Sequence, residues 1–311
     1  MLSEMSLFRE FGVDCNDNLT SKTVLFVDKS IAIDPMFEKD AQSCCGLIVM
    51  HSTNRTVINS DMKRLMDDKI GKTINYIEKD SKMVLVNAFH FKVEWKLPIC
   101  RNSLGTFSTA DGVKLSLPFL ELWGPIKAGY LAKYATEILE IPLTICRLNL
   151  FIALPDEGSS IAELFRDDEK CACGALLNSI KKSDLEMKSI AVRLPKFRLE
   201  YGQHFDRFMD SQDITDAFSP NRADFSAMST NFNNFRFALS DFVTKTVFEL
   251  SEECSLTQDE LKANTIEPQP SEIVEVSRPF VFGLTAQYDI DRRLFFAIGF
   301  IKNPTECGCT V

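Results

Sequence analysis

The sequence predicts an α+β domain in which many strands are interrupted irregularly by a few helices. Three observations lead there. Apolar runs of strand length recur from Val24 to Phe300 without the regular alternation of strand and helix that marks a parallel βαβ sheet. No repeat, low-complexity tract or Pro/Gly/Ser-rich linker divides the 311 residues, so the chain reads as one domain, and 45% hydrophobic residues are ample for its core. An acidic strand, Lys245-Thr-Val-Phe-Glu-Leu-Ser-Glu-Glu253, is followed by a long stretch without helical or strand periodicity until a second strand starts at Val274 and runs to Phe282. Loops of that length inside a compact domain are uncommon and usually functional or disordered.

Taken in order, Val24 to Asp28 is a short apolar strand, and Asp34-Pro35 opens a helix through about Cys44, with proline at an early helical position. Met62, Leu65, Met66, Lys69 and Ile70 recur at helical spacing, which predicts a second helix over about 58–74. The run from Met83 to Phe91 is almost wholly apolar, as in a strand covered on both faces. Further strands are expected over 137–141, 148–154, 191–194 and 235–239, and a final pair over 280–284 and 294–300 is joined by a turn at Asp291-Arg292-Arg293. Helices fit between Ser160 and Phe165 and between His204 and Asp210.

A net charge of −9 argues against nucleic acid or an anionic membrane as partner, and no apolar run is long enough to span a bilayer. The start, Met-Leu-Ser-Glu-Met-Ser-Leu-Phe-Arg-Glu10, has neither the basic opening nor the apolar stretch of a signal peptide. Ile70-Gly-Lys-Thr73 lacks the first glycine of a phosphate loop and follows a helix rather than a strand. Cys171-Ala-Cys173 and Cys307-Gly-Cys309 are too closely spaced for a zinc knuckle and have no histidine nearby. His51, His90 and His204 stand in no nucleophile motif. No enzyme, metal or cofactor is therefore expected.

Eight segments in serial order carry a family resemblance. They are the run Val86-Asn-Ala-Phe-His-Phe-Lys-Val-Glu-Trp95; Phe107-Ser-Thr-Ala-Asp-Gly112 with Leu117-Pro118; Glu137-Ile-Leu-Glu-Ile-Pro142; Phe151-Ile-Ala-Leu-Pro-Asp156; Leu194-Pro-Lys-Phe-Arg-Leu-Glu200; Ala223-Asp-Phe-Ser226; Arg278-Pro-Phe280; and Ile298-Gly-Phe-Ile-Lys-Asn-Pro304. Together they resemble the serpin family over nearly the whole chain. The resemblance implies a serpin fold, with three β-sheets, surrounding helices and an exposed reactive-centre loop, here residues 252–273. It also implies a monomeric inhibitor of serine proteases, with cysteine proteases as the second target class. In such inhibitors the cleaved loop inserts into the central sheet, releasing strain stored in a kinetically trapped native state.

Family members carry three helices and a strand ahead of the part matching Val24 to Asp28, so the expected fold is truncated at its N-terminus. The missing helix would uncover apolar surface beneath the central sheet, at a cost of about 25 cal/mol per Å². Either the chain is a fragment, or a partner or rearrangement covers that face. The family is extracellular by habit, which would make Asn18-Leu-Thr20 and Asn54-Arg-Thr56 glycosylation sites of a secreted glycoprotein; a cytoplasmic protein is the alternative.

Matching Glu252-Glu253 to the family hinge and Pro279 to the proline after the loop places the scissile bond at Pro268-Gln269. The hinge, Cys254-Ser-Leu-Thr-Gln-Asp-Glu-Leu261, departs from the family's glycine followed by small residues. By strand alternation, insertion with Ser255 facing the core also buries Thr257, Asp259 and Leu261. An unpaired buried carboxylate at Asp259 costs several kcal/mol or takes up a proton, and Cys254 forgoes the freedom of glycine. Pro268 suits neither a basic nor an aromatic specificity pocket. Thr244 stands where relatives often have a histidine that controls sheet opening, beside Asn87, while Trp95 takes the place where the loop enters the sheet; as plain structure, Trp95 fills the core and Asn87 is a satisfied amide. Two functions remain open: an inhibitor acting through this loop, or a non-inhibitory carrier or chaperone-like binding protein on the same scaffold.

Overall fold

The computed structural model describes residues 18–145, 148–165, 176–178, 180, 185–205, 209, 213–232, 236–254, 272–289 and 292–305. In chain order the elements are β1 (Leu19–Val27), α1 (Pro35–Cys45), β2 (Leu47–Met50), α2 (Arg55–Leu65), β3 (Met83–Trp95), β4 (Ile99–Ser108), β5 (Lys114–Leu131), β6 (Thr136–Pro142), β7 (Leu148–Pro155), α3 (Ile161–Leu164), β8 (Glu186–Pro195), β9 (Arg198–His204), β10 (Asp241–Cys254), β11 (Glu272–Glu275), β12 (Phe280–Asp289) and β13 (Arg292–Ile301). They fall into two compact units, one within Met1–Lys92 and Arg198–Glu249, the other within Val93–Phe197 and Leu250–Glu306.

The first unit carries a five-stranded sheet in the order β2-β1-β3-β10-β9. Period-two alternation sends Val24, Phe26, Val84, Val86 and Ala88 to one face, where they pack with Ile58 and Met62 of α2 and with Met66, Ile70 and Ile74 beyond it. Leu25, Val27 and Met83 point the other way, into a cluster with Ile31, Met228, Phe232 and Phe237. The helix caps follow the sequence closely. Asp34 accepts a hydrogen bond from Met36 N and precedes Pro35, and Gly46 closes α1 in the left-handed region at φ 65°. Asn54 caps α2 by accepting from Thr56 N and Val57 N.

The second helix is shorter than its spacing predicts. It stops at Leu65, because Asp67 and Asp68 adopt left-handed backbone at φ 50° and 60°, a region that Asp tolerates better than most residues. Beyond them the chain is an irregular strap. Asn59 Oδ1 accepts from Thr73 N at 2.8 Å and from Ile74 N at 2.9 Å, and Asn59 Nδ2 donates to Ile74 O at 2.9 Å. Ile70 and Ile74 thus bury themselves from extended chain while mimicking helical spacing.

The second unit carries an eight-stranded sheet, β11-β8-β5-β6-β7-β12-β13, with β4 added on β5. Three sheets are expected from the resemblance, yet among the described residues the ladders join into two. The cause is β5, whose 18 residues pair with β4 along Lys114–Leu122, with β6 along Lys127–Leu131 and with β8 along Phe119–Ala128. Gly124 in β5 has φ 150°, and a Cβ there would come within 2.8 Å of Leu97. Pro118, Gly124 and Pro125 argue against a long strand in sequence, which hides β5 and its partner β4.

Other expectations also shift. The strand at 235–239 is absent from 236–239, the part that is described. Phe237 instead lies in coil, stacked on Phe225 and edge-on to Phe232. His204 ends β9 rather than opening a helix; of the rest of that helix only Phe205 and Met209 are described, Met209 N bonding Phe205 O. Arg292 and Arg293 belong to β13 rather than to the turn, and the second strand after the long loop breaks into β11 and β12 around Arg278-Pro279. β2 and β9 were not anticipated.

Candidate functional site

The site begins with β10. Its alternating Val243, Lys245, Val247 and Glu249 pair with β9 through seven registered positions, Val243 opposite His204 to Glu249 opposite Arg198. Asn87 and Thr244 lie on the adjacent strands β3 and β10. The Asn87 amide donates to Thr23 Oγ1 of β1 at 3.0 Å, so its hydrogen bond runs away from Thr244. Glu200 anchors the β9 side. Burial would raise its pKa, but hydrogen bonds from Lys245 and Arg198 outweigh that and hold it below the ordinary carboxylate value.

At its C-terminal end β10 lies in the second unit. Leu250 N donates to Phe197 O, and Lys196 Nζ sits 2.5 Å from Glu252 Oε1. Glu252 is 60% exposed, so this pair contributes no more than about 1 kcal/mol by itself. Phe197 packs against Phe280 and Phe282 at centroid separations of 5.9 and 5.3 Å. Trp95 is fully buried and bridges Leu143, while Thr144 N donates to Glu94 O. Glu253 and Cys254 complete the backbone of β10; Ser255, Thr257, Asp259, Pro268 and Gln269 lie outside the described residues.

The chain is next described at β11, which pairs in parallel with β8, Glu272 opposite Ile190 to Glu275 opposite Arg193. Arg193 clamps this end: Nη1 lies 3.1 Å from Glu275 Oε1, Nη2 donates to Ser103 Oγ, and the guanidinium sits over the Phe119 ring. Arg278 Nε donates to Pro155 O at 2.6 Å. Glu137 of β6 faces this region. Burial, then the neighbouring Glu272 carboxylate, raises its pKa, with Arg278 opposing.

Lys196, Phe197 and Arg193 are the anchors that sequence reasoning missed. Lys196 and Phe197 belong to the Leu194–Glu200 motif, but nothing in one dimension pairs them with Glu252 or Phe280. Among the described residues no cluster of three or more His, Cys, Asp or Glu could hold a metal, and no helix is long and apolar enough to cross a membrane.

A family profile described as Serpin (serine protease inhibitor) matches residues 6–297. Similar curated proteins include macrophage plasminogen activator inhibitor 2 of Mus musculus, 27% identical over 239 residues that make up 75% of this chain and 56% of that protein. Serpin B11 of Homo sapiens is 25% identical over 88% of this chain and 74% of its own length. The chain thus spans little more than half of the first relative. Among solved structures, mouse protein-Z dependent protease inhibitor superposes over 96% of this chain and 78% of its own at a TM-score of 0.77 and 19% identity. Native protease nexin-1 with heparin does so over 96% and 82% at 0.77 and 21%. These structural likenesses speak for the fold.

Proposed function

The chain belongs to the serpin family, and on that premise we propose that it is a protease inhibitor whose bait is the segment after Cys254, with Pro268-Gln269 as the reactive bond. The single observation that supports this most is the course of β10. An inner strand of the five-stranded sheet ends at Cys254, and the chain is next described at Glu272 as a strand at the edge of the other sheet. A segment that doubles back on β10 must add beside it. The β9 side is closed by the ladder and by the Lys245–Glu200 ion pair, 3.0 Å, which leaves the seam between β3 and β10.

In this reading a protease serine hydroxyl attacks the Pro268 carbonyl carbon. The bond to the Gln269 nitrogen breaks, that nitrogen leaves with the proton as a new amine, and the Pro268 acyl group stays on the protease as an ester. Inhibition requires insertion to outrun hydrolysis of that ester; a serine protease is the first target class and a cysteine protease the second. The free, exposed thiols of Cys44 and Cys45 favour a reducing, cytoplasmic compartment over secretion, and the protein acts as a monomer.

Incubation of the full chain with a panel of serine and cysteine proteases should yield an SDS-stable complex with at least one, and mass spectrometry should place the acyl bond at Pro268. Cleavage of the segment by every protease without complex would overturn inhibition. One observation favours a second reading, a non-inhibitory binding protein: Asp259 and Cys254 stand where insertion wants small residues and glycine. That reading expects nicking of the loop to leave the unfolding temperature unchanged, whereas a large rise would contradict it.

A further inference from the structure

One pair of side chains bridges the strands that the proposed insertion must part. His90 of β3 is 4% exposed, and its Nε2 lies 3.7 Å from Glu249 Oε2 of β10. The other ring nitrogen, Nδ1, is buried without a hydrogen-bond partner among the described residues. Over the same face runs the strap that follows α2. Lys69 Nζ donates to Thr20 Oγ1 of β1, Arg198 Nη2 of β9 donates to Lys69 O, and Gly71 N donates to Glu200 Oε1 of β9. Since β1 and β9 flank the β3–β10 pair, the strap is fastened on both sides of the seam and lies across it.

We propose that His90 is an acid-responsive latch on this seam: buried and neutral it favours joined strands, and on taking up a proton it favours parted ones. The proposal deepens the insertion reading and rests on it. An imidazolium has two N–H donors to satisfy. Here Glu249 can meet one, while Nδ1 has no hydrogen-bond partner among the described residues, so protonation in place buries a charge with one donor unmet there. The charges facing the ring are mixed. Glu249 of β10 attracts, while Lys69 of the strap and Arg198 of β9, whose Nε lies 3.6 Å from Glu249, repel. Glu200 and Lys245 pair with each other one step further out, and Lys92 follows on the ring's own strand.

Burial, the largest influence, sets the pKa of His90 below the ordinary 6.5 against the pull of Glu249. Parting the strands admits water and restores the ordinary value, so the parted state binds the proton more firmly. Stability of the closed seam is therefore full above pH 6.5 and falls as the pH drops from there toward the lowered value. One proton sets a limit of about tenfold per pH unit on the shift toward opening.

Hydrogen exchange on the full chain, corrected for intrinsic rates, tests this at pH 5.5 and 7.5. The β3 and β10 amides should open several-fold more at the lower pH, the β6–β7 amides should not, and His90→Phe should abolish the difference. Unchanged seam protection in the wild type, or the same pH response in His90→Phe, would overturn the latch. Should His90→Phe not fold, NMR titration of the wild-type His90 ring decides: a midpoint below 6.5 supports the proposal and one at or above 6.5 defeats it. No protease enters these measurements, so a missing covalent complex would defeat the inhibitor reading alone, and a pH-indifferent seam would defeat the latch alone.

Discussion

At the scale of single residues, much of what decides this molecule is polar and was invisible to hydrophobic patterning. Asn59 is the clearest case. Its position on α2 gives no hint that its amide holds Thr73 and Ile74 of the strap beyond the helix. Asp34 and Asn54, by contrast, announce their caps by type and place. Glu137 shows how burial changes a carboxylate at the start of an expected strand. Its raised pKa means that the folded protein holds this proton more firmly than the unfolded chain does. The stability it contributes is complete below the unfolded value and is lost as the pH rises through the folded one. At pH 7 the ionised group therefore works against folding, and Glu137→Gln should raise the unfolding temperature there, with the gain fading toward pH 4. Unfolding scans across that range check it; an equal gain at both ends, or a loss at pH 7, would mean that the charge is not the cause.

At the scale of elements, legibility followed the kind of partner each strand needed. β3, β6, β7 and β12 are apolar runs buried within sheets and β13 is an apolar run at a sheet edge; period and composition found all five. β4 is a half-exposed strand whose described partner is β5, and in β5 the breakers Pro118, Gly124 and Pro125 masked the strand. The packing of β12 can be tested through Gly283, which lies between Phe151 of β7 and Ile298 of β13. A Cβ there would meet Ala297 O at 2.2 Å and Phe151 Cε1 at 2.3 Å, backbone on one side and a buried ring on the other. Neither can yield cheaply, so Gly283→Ala should cost about 1–3 kcal/mol, the usual range for overpacking. The drop should show in the apparent unfolding temperature at a fixed scan rate; a variant as stable as the parent would mean that β12 and β13 are looser than described.

At the scale of the whole molecule, the family was legible because eight motifs stand in serial order along the chain. What lies in the hinge is chemistry rather than pattern. Burying every second residue after Cys254 places Asp259 in the sheet, where an unpaired carboxylate costs several kcal/mol. In the proposed inhibition insertion competes with hydrolysis of the acyl bond, so a barrier of that size would send the reaction toward plain cleavage. Changing Cys254→Gly together with Asp259→Ala in the full chain removes both obstacles and leaves Pro268-Gln269 untouched. The fraction of protease trapped per loop cleaved should then rise, by about tenfold for each 1.4 kcal/mol removed from the insertion barrier. Measured as the moles of protein consumed per mole of protease inactivated, an unchanged ratio would place the bottleneck elsewhere. On the same proposal the seam itself is the next candidate, since the strap at Lys69 and Gly71 and the His90–Glu249 pair bridge it. Repeating the double variant at pH 5.5 separates the two obstacles: if the hinge alone limits insertion, acid adds nothing beyond its effect on the protease, and if the seam limits it, acid and the double change act together.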